Sequence, residues 1–226
     1  GLGAVPVMLS SLTIGVPKGR ILEDLAPLFA AAHIDLSVFG GETRKLVVVL
    51  PSGHRLLLLR PTDVPTYVEY GVADVAVCGS DTLFESGADV LDPLDLEVGR
   101  CRLSVATSAV HAGPEALAAP WPRVATKYPK MTREYFRARG AEPTIIHLYG
   151  SVELAAISGL ADLVVDLVST GGTLRENGLV EIATIREISS RFIVNRASFK
   201  TRHAEIGELI HSLTAAVAER RVGASA

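Results

Sequence analysis

Asp166-Leu167-Val168-Ser169-Thr170-Gly171-Gly172-Thr173 puts an acid, hydroxyls and paired glycines directly behind the apolar run Leu163-Val164-Val165. Residues of these types in this order suit a phosphate. Glycine lets backbone N–H groups come close to an anion, and the first turn of a following helix adds unpaired donors. Ser169, Thr170 and Thr173 contribute hydroxyl donors. Asp166, at the end of the strand, is placed to accept hydrogen bonds from vicinal ribose hydroxyls while the loop takes a 5′-phosphate, so the run reads as a phosphoribosyl site. No Gly-Lys-Ser/Thr follows, which excludes a Walker A loop. The alternative is a glycine-rich turn capped by Thr173.

A second candidate is Leu12-Thr13-Ile14-Gly15-Val16-Pro17-Lys18-Gly19-Arg20, a strand running into two cations and then a helix carrying Leu22, Leu25, Leu28 and Phe29. Lys18, Gly19 and Arg20 suit phosphate oxygens, and Arg44 and Arg60 add cations to the same half of the chain. Asp63, after Arg60-Pro61-Thr62, reads as the cap of the next helix, and Lys45 and Arg55 read as surface charge. Lys127-Tyr128-Pro129 follows another strand-like run, where the lysine could face a cleft or Tyr128 could simply pack. Trp121, between prolines, reads as packing. The six histidines show no metal-ligand spacing, and neither Gly-x-Ser-x-Gly nor His-Glu-x-x-His occurs.

These loops need strands and helices to hold them. Short β-branched runs alternate with amphipathic stretches from Leu12 to Val77, and the pattern repeats from Arg102 onward, as in an α/β protein. One echo is specific: Gly71-Val72-Ala73-Asp74 before Val75-Ala76-Val77 is answered by Gly159-Leu160-Ala161-Asp162 before Leu163-Val164-Val165. Both read as a helix ended by a left-handed glycine and followed by a buried strand. Two related lobes facing one cleft would explain the echo; a common way of leaving a helix is the alternative. Boundaries near Cys101 and Glu181 give one lobe from 10–100 plus 182–226, which holds the Lys18–Arg20 cations, and an inserted lobe, 101–181, which holds the proposed 5′-phosphate loop.

Hydrophobic residues make up 48% of the 226, enough for one large core or two modest ones. The net charge of -3 supplies no basic field for a nucleic-acid duplex. Cys78 and Cys101 form neither a disulfide framework nor a zinc spacing, which fits a reducing cytoplasm. Gly1 to Ser11 lacks a basic n-region and no apolar run is long enough to span a bilayer, so neither export nor membrane insertion is expected.

Taken together, Val16-Pro17-Lys18-Gly19-Arg20, Tyr70-Gly71-Val72-Ala73-Asp74, Val124-Ala125-Thr126-Lys127-Tyr128-Pro129, Gly150-Ser151-Val152-Glu153 and the Asp166–Leu174 run resemble the ATP phosphoribosyltransferase family. Ala156 stands where the family often has Pro, and Gly172 where it often has Ala. The resemblance implies a bilobal α/β fold like the type II periplasmic binding proteins, with a central cleft. It implies condensation of ATP, through adenine N1, with phosphoribosyl pyrophosphate (PRPP), releasing pyrophosphate in the first step of histidine biosynthesis. Mg²⁺ would enter mainly on substrate phosphates. Glu153, Asp166, Ser169, Thr170, Gly171, Gly172 and Thr173 would hold PRPP, Arg20 and Arg44 would act in catalysis, and Lys18, Gly19 and Arg60 would meet ATP or pyrophosphate. Ending after one helix, the chain resembles the short form without a C-terminal regulatory domain. That form implies a homo-oligomer, expected to be a dimer, with a histidyl-tRNA-synthetase-like regulatory subunit. The loops alone leave open another phosphoribosyltransferase, or a cytoplasmic bilobal anion-binding sensor.

Overall fold

The computed structural model describes residues 11–40 and 45–224. In chain order the first elements are β1 (Thr13–Pro17), α1 (Ile21–Ala31), β2 (Val47–Val49), β3 (Arg55–Leu59), α2 (Val64–Glu69), β4 (Val75–Gly79), α3 (Ser80–Ser86) and β5 (Leu91–Asp95). Next come β6 (Cys101–Ser108), β7 (Arg123–Thr126), α4 (Pro129–Arg137), β8 (Thr144–His147), α5 (Glu153–Ile157), β9 (Leu163–Val168), α6 (Gly172–Glu176) and β10 (Leu179–Ile188). The chain ends with β11 (Ser190–Val194), α7 (Arg196–Thr201) and α8 (His203–Ala224). It divides into two compact units, Gly1–Gly99 with Ser189–Ala226, and Arg100–Ile188.

The first unit is built on a six-stranded sheet of order β2-β3-β1-β4-β11-β5. Its central strands are buried on both faces, because successive side chains alternate sides. Ile14, Val16, Val75, Val77, Phe192 and Val194 meet Leu25 and Phe29 of α1 and Ile206, Leu209 and Leu213 of α8. Leu57, Leu59, Ala76, Cys78 and Ile193 pack on the other face against Val64 and Val68 of α2. Full burial of each Leu or Phe contributes about 1.5–3 kcal/mol, so the two layers fix where each strand ends.

The second unit carries a five-stranded sheet of order β10-β6-β9-β7-β8. Ala106, Ala125, Val164 and Val168 pack with Ala155 of α5 and Leu174 of α6, and α4 buries Met131, Tyr135 and Phe136. This unit extends past the Glu181 boundary expected from the sequence. Strand β10 continues antiparallel to β6 as far as Ile188 opposite Cys101, so its whole length belongs here.

Read in the opposite direction, the second sheet is β8-β7-β9-β6-β10, matching β3-β1-β4-β11-β5 of the first. In both, three parallel strands are followed by an antiparallel fourth. The sequence echo marks one corner of this repeat. Gly71 and Gly159 take left-handed φ values of 73° and 77°. Asp74 donates its N–H to the Thr13 carbonyl (2.8 Å) and accepts the Thr13 N–H on Oδ2 (2.8 Å). Asp162 treats Arg123 the same way, at 2.9 and 3.0 Å. Each Asp thus clasps the start of the neighbouring parallel strand. No helix among the described residues is long and apolar enough to cross a membrane.

Candidate active site

In the second unit the carboxyl ends of β9, β7 and β8 deliver the polar segments. Glu153 and residues 166–174 line a concavity of about 210 Å³. The sequence-expected PRPP residues are therefore brought together here: Glu153, Asp166, Ser169, Thr170, Gly171, Gly172 and Thr173. Asp166 lies inside β9 rather than after it, and its side chain is only 15% exposed. Its Oδ1 accepts the Leu167 N–H at 2.8 Å, and Lys127 Nζ stands 3.7 Å from Oδ2. Burial pushes the Asp166 carboxyl up from its ordinary value, the Leu167 N–H and Lys127 oppose that, and the nearby Glu153 adds to the rise. A carboxylate held this way keeps lone pairs available to hydroxyl donors.

The loop after β9 turns at Gly171, whose φ of 75° favours glycine, and α6 begins at Gly172. Thr170 Oγ1 accepts the Gly172 N–H at 3.4 Å. The hydroxyls of Ser169 and Thr173 make no hydrogen bond among the described residues. A Cβ added at Gly172 would meet only Thr170 Oγ1, at an ordinary van der Waals distance of 3.6 Å, so an alanine fits and glycine here forgoes no more than that contact.

Arg102 and Arg175 were not singled out by the sequence, yet both touch this loop. Arg102 grips Glu181 with Nε and Nη2 at 2.6 Å each, and its Nη1 donates to the Ser169 carbonyl at 3.1 Å. With Arg102 first and Ser104 and Thr184 assisting, the Glu181 carboxyl is held down at about 2. Arg175 Nη1 donates to the Thr170 carbonyl at 3.0 Å. Only the strand register, Arg102 opposite Val168, brings Arg102 to the loop, and sequence spacing carries no sign of it. Lys127, left open from sequence, is placed beside Asp166.

In the first unit, Lys18, Gly19 and Arg20 follow β1, and Arg60 follows β3. These strands are paired neighbours, Pro17 opposite Leu59, and the Lys18 N–H donates to the Leu59 carbonyl at 2.8 Å. Lys18, Arg20 and Arg60 are exposed, and their side chains make no ion pair among the described residues. Arg44 lies outside the described residues. Two sequence expectations need correction. Asp63 precedes α2 without a side-chain cap, its Oδ1 accepting from Thr62 instead. Trp121, between Pro120 and Pro122 ahead of β7, is 75% exposed and lines a separate concavity at the amino ends of β7 and β9.

The model of the family described as ATP phosphoribosyltransferase (HisG) matches residues 60–215. An ATP phosphoribosyltransferase of Syntrophotalea carbinolica is 51% identical over 215 residues, 94% of this chain and 98% of that protein. One from Acidithiobacillus ferrooxidans is 50% identical over 216 residues, 93% of this chain and 99% of the relative. The chain belongs to the ATP phosphoribosyltransferase family. Among solved structures, the ATP phosphoribosyl transferase (HisG:HisZ) complex from Thermotoga maritima matches at a TM-score of 0.78 and 32% identity, over 92% of this chain and 99% of that chain. The periplasmic aliphatic sulphonate binding protein SsuA from Escherichia coli matches at a TM-score of 0.58 and 13% identity, over 95% and 75% of the two chains, a likeness of fold alone.

Membership carries the activity. The chain is a pentosyl-transferring enzyme that joins ATP to PRPP in the histidine pathway. The other two readings that the loops left open, a different phosphoribosyltransferase and an anion sensor, give way to this one. The family uses a divalent metal ion.

Proposed function

We propose that the two units divide the substrates of this reaction. The observation that carries the reading is the 210 Å³ concavity lined by a largely buried acid, Asp166, and by the Ser169 and Thr173 hydroxyls, which make no hydrogen bond among the described residues. Ser169, Thr170, Gly171, Gly172 and Thr173 hold the 5′-phosphate of PRPP, and Asp166 and Glu153 accept from the ribose hydroxyls. Lys18, Gly19 and Arg60 of the first unit are assigned to ATP and pyrophosphate oxygens, and Arg20 and Arg44 to the leaving pyrophosphate.

As adenine N1 attacks ribose C1, the bond from C1 to pyrophosphate lengthens and negative charge grows on the leaving oxygens. Guanidinium groups already in place stabilise that charge without reorganising. Adenine N1 carries no proton to remove, so no general base is required. Mg²⁺ is the metal assigned here, a hard cation matched to phosphate and carboxylate oxygens, which neutralises pyrophosphate charge when bound. The metal is assigned mainly to substrate phosphates, and Glu153 and Asp166, which line the concavity, are the carboxylates that would meet it there.

The proposed assembly is a cytoplasmic homodimer working with a HisZ-like regulatory subunit; the regulatory partner is supported by the HisG:HisZ composition of the Thermotoga maritima complex. The test of the site is Thr173→Ala, with PRPP and ATP titrated separately. PRPP affinity falls about tenfold and ATP affinity holds, because one hydroxyl donor to a phosphate is lost. Undiminished PRPP affinity would remove Thr173 from PRPP binding, and equal losses for both ligands would indicate general misfolding of the unit.

A further inference from the structure

The loop between β9 and α6 presents two backbone N–H groups, of Thr170 and Gly171, that find no acceptor among the described residues. Each belongs to a peptide unit whose carbonyl is held by a guanidinium. The Ser169 carbonyl, in the same peptide plane as the Thr170 N–H, accepts from Arg102 Nη1 at 3.1 Å. The Thr170 carbonyl, in the same plane as the Gly171 N–H, accepts from Arg175 Nη1 at 3.0 Å. In a planar trans peptide the C=O and N–H vectors point in opposite directions. Pinning the oxygen of each unit from one side therefore turns its N–H toward the other.

The surroundings fit this arrangement. A Cβ on Gly171 would lie 3.0 Å from Arg175 Nη1, so the missing side chain is what lets the guanidinium reach the loop. Arg175 makes no ion pair among the described residues, and among them its guanidinium donates to the Thr170 carbonyl alone. Arg102 is fixed in the opposite manner, by the two-point grip on Glu181, which Ser104 braces at 2.7 Å.

We propose that Arg102 and Arg175 are positioning residues for PRPP. Each fixes the carbonyl end of one peptide unit, so that the Thr170 and Gly171 N–H groups stand ready for the 5′-phosphate. Donation to the carbonyls also polarises both peptide units and strengthens the two N–H donors. This inference rests on the reading of the loop as the 5′-phosphate site.

The test is amide NMR on the full chain labelled with ¹⁵N, titrated with inorganic phosphate and with PRPP, for the unaltered protein, Arg175→Met, Arg175→Lys and Arg102→Met. In the unaltered protein both ligands shift the Thr170 and Gly171 amides. In Arg175→Met the Gly171 response collapses while the Thr170 response persists, PRPP affinity falls about tenfold, and ATP affinity stays within about twofold. Arg175→Lys, which keeps a cationic donor, recovers part of the loss. Arg102→Met shows the reverse amide pattern; if that variant does not fold, the Arg175 pair decides alone. Arg175→Met with undiminished PRPP affinity and an unchanged Gly171 response overturns the proposal and leaves the loop reading intact. If neither ligand moves either amide in the unaltered chain, the loop reading fails and the proposal with it.

Discussion

The two units share a strand order and the Asp clasp at the start of the third parallel strand, but they present different chemistry at their strand ends. After β1 the first unit offers Lys18 and Arg20, exposed and without ion pairs among the described residues. After β7, at the equivalent point, the second unit has Lys127, turned onto Asp166. After β4 the first unit goes straight into α3, whereas after β9 the second inserts a loop of peptide donors and hydroxyls. Free cations suit charge that appears during reaction; fixed neutral donors suit a phosphate whose charge stays constant. On the proposed division of the substrates, one frame serves two electrostatic tasks.

The sharpest test of this division is Arg20→Ala. Turnover falls about 10²- to 10³-fold, roughly 3–4 kcal/mol, while PRPP affinity changes little, the reverse of the pattern for Thr173→Ala. Steady-state kinetics with separate binding titrations check it, and Arg44→Ala belongs in the same experiment. If Arg20→Ala instead weakens PRPP and spares turnover, the two units do not divide the work in this way.

The clasp supplies a second contrast. Asp74 is 14% exposed and also accepts from Ser198 Oγ (2.7 Å) and Arg202 Nη1 (3.2 Å). Asp162 is 49% exposed and relies on Arg123 alone for its side-chain partner. Urea unfolding will show a loss of about 3 kcal/mol for Asp74→Ala, which leaves buried donors unpaired, and about 1 kcal/mol for Asp162→Ala. Equal losses would mean the clasps are equivalent.

Asp166 offers a pH test. Its folded carboxyl binds a proton more tightly than the unfolded one, because burial raises it. It therefore opposes folding at neutral pH, and the penalty is relieved as pH falls through the raised value. Asp166→Asn is expected to raise the melting temperature by a few degrees at pH 7 and to abolish that relief, while weakening PRPP binding. Glu181 behaves oppositely: its stabilising contribution is complete above its ordinary 4.5 and fades as pH falls toward about 2. The smallest effect belongs to Gly172→Ala, a gain of about 0.4–1 kcal/mol with PRPP affinity intact, since the site has room for a methyl group.

Much of the frame was legible because its strands are short β-branched or aliphatic runs between turn residues; the runs at Arg55–Leu59, Arg123–Thr126 and Thr144–His147 are β3, β7 and β8. Two of the edge strands, β5 and β10, were not. Strand β5 carries Asp92, Pro93 and Asp95, the signature of a turn, and is a strand only because β11 pairs with it and Arg191 meets both acids. Strand β10 mixes Glu181, Arg186 and Glu187 with apolar residues and has irregular register, so it escaped notice and the unit boundary was set too early. At the site, the loop announced itself through glycines and hydroxyls. Its guanidinium supports did not, since Arg102 reaches it only through pairing between distant strands.

Strand β11 has a consequence for how the molecule is made. It lies between β4 and β5, and β5 has no other strand neighbour among the described residues. As the chain leaves the ribosome, the whole of the second unit emerges as one uninterrupted stretch before the first unit receives the strand that completes its sheet. The second unit can therefore reach its native form during synthesis, while β4 waits with an open edge and β5 unanchored until residues 190–194 arrive. The donor loop is assembled early, and the lobe that carries the free cations closes last.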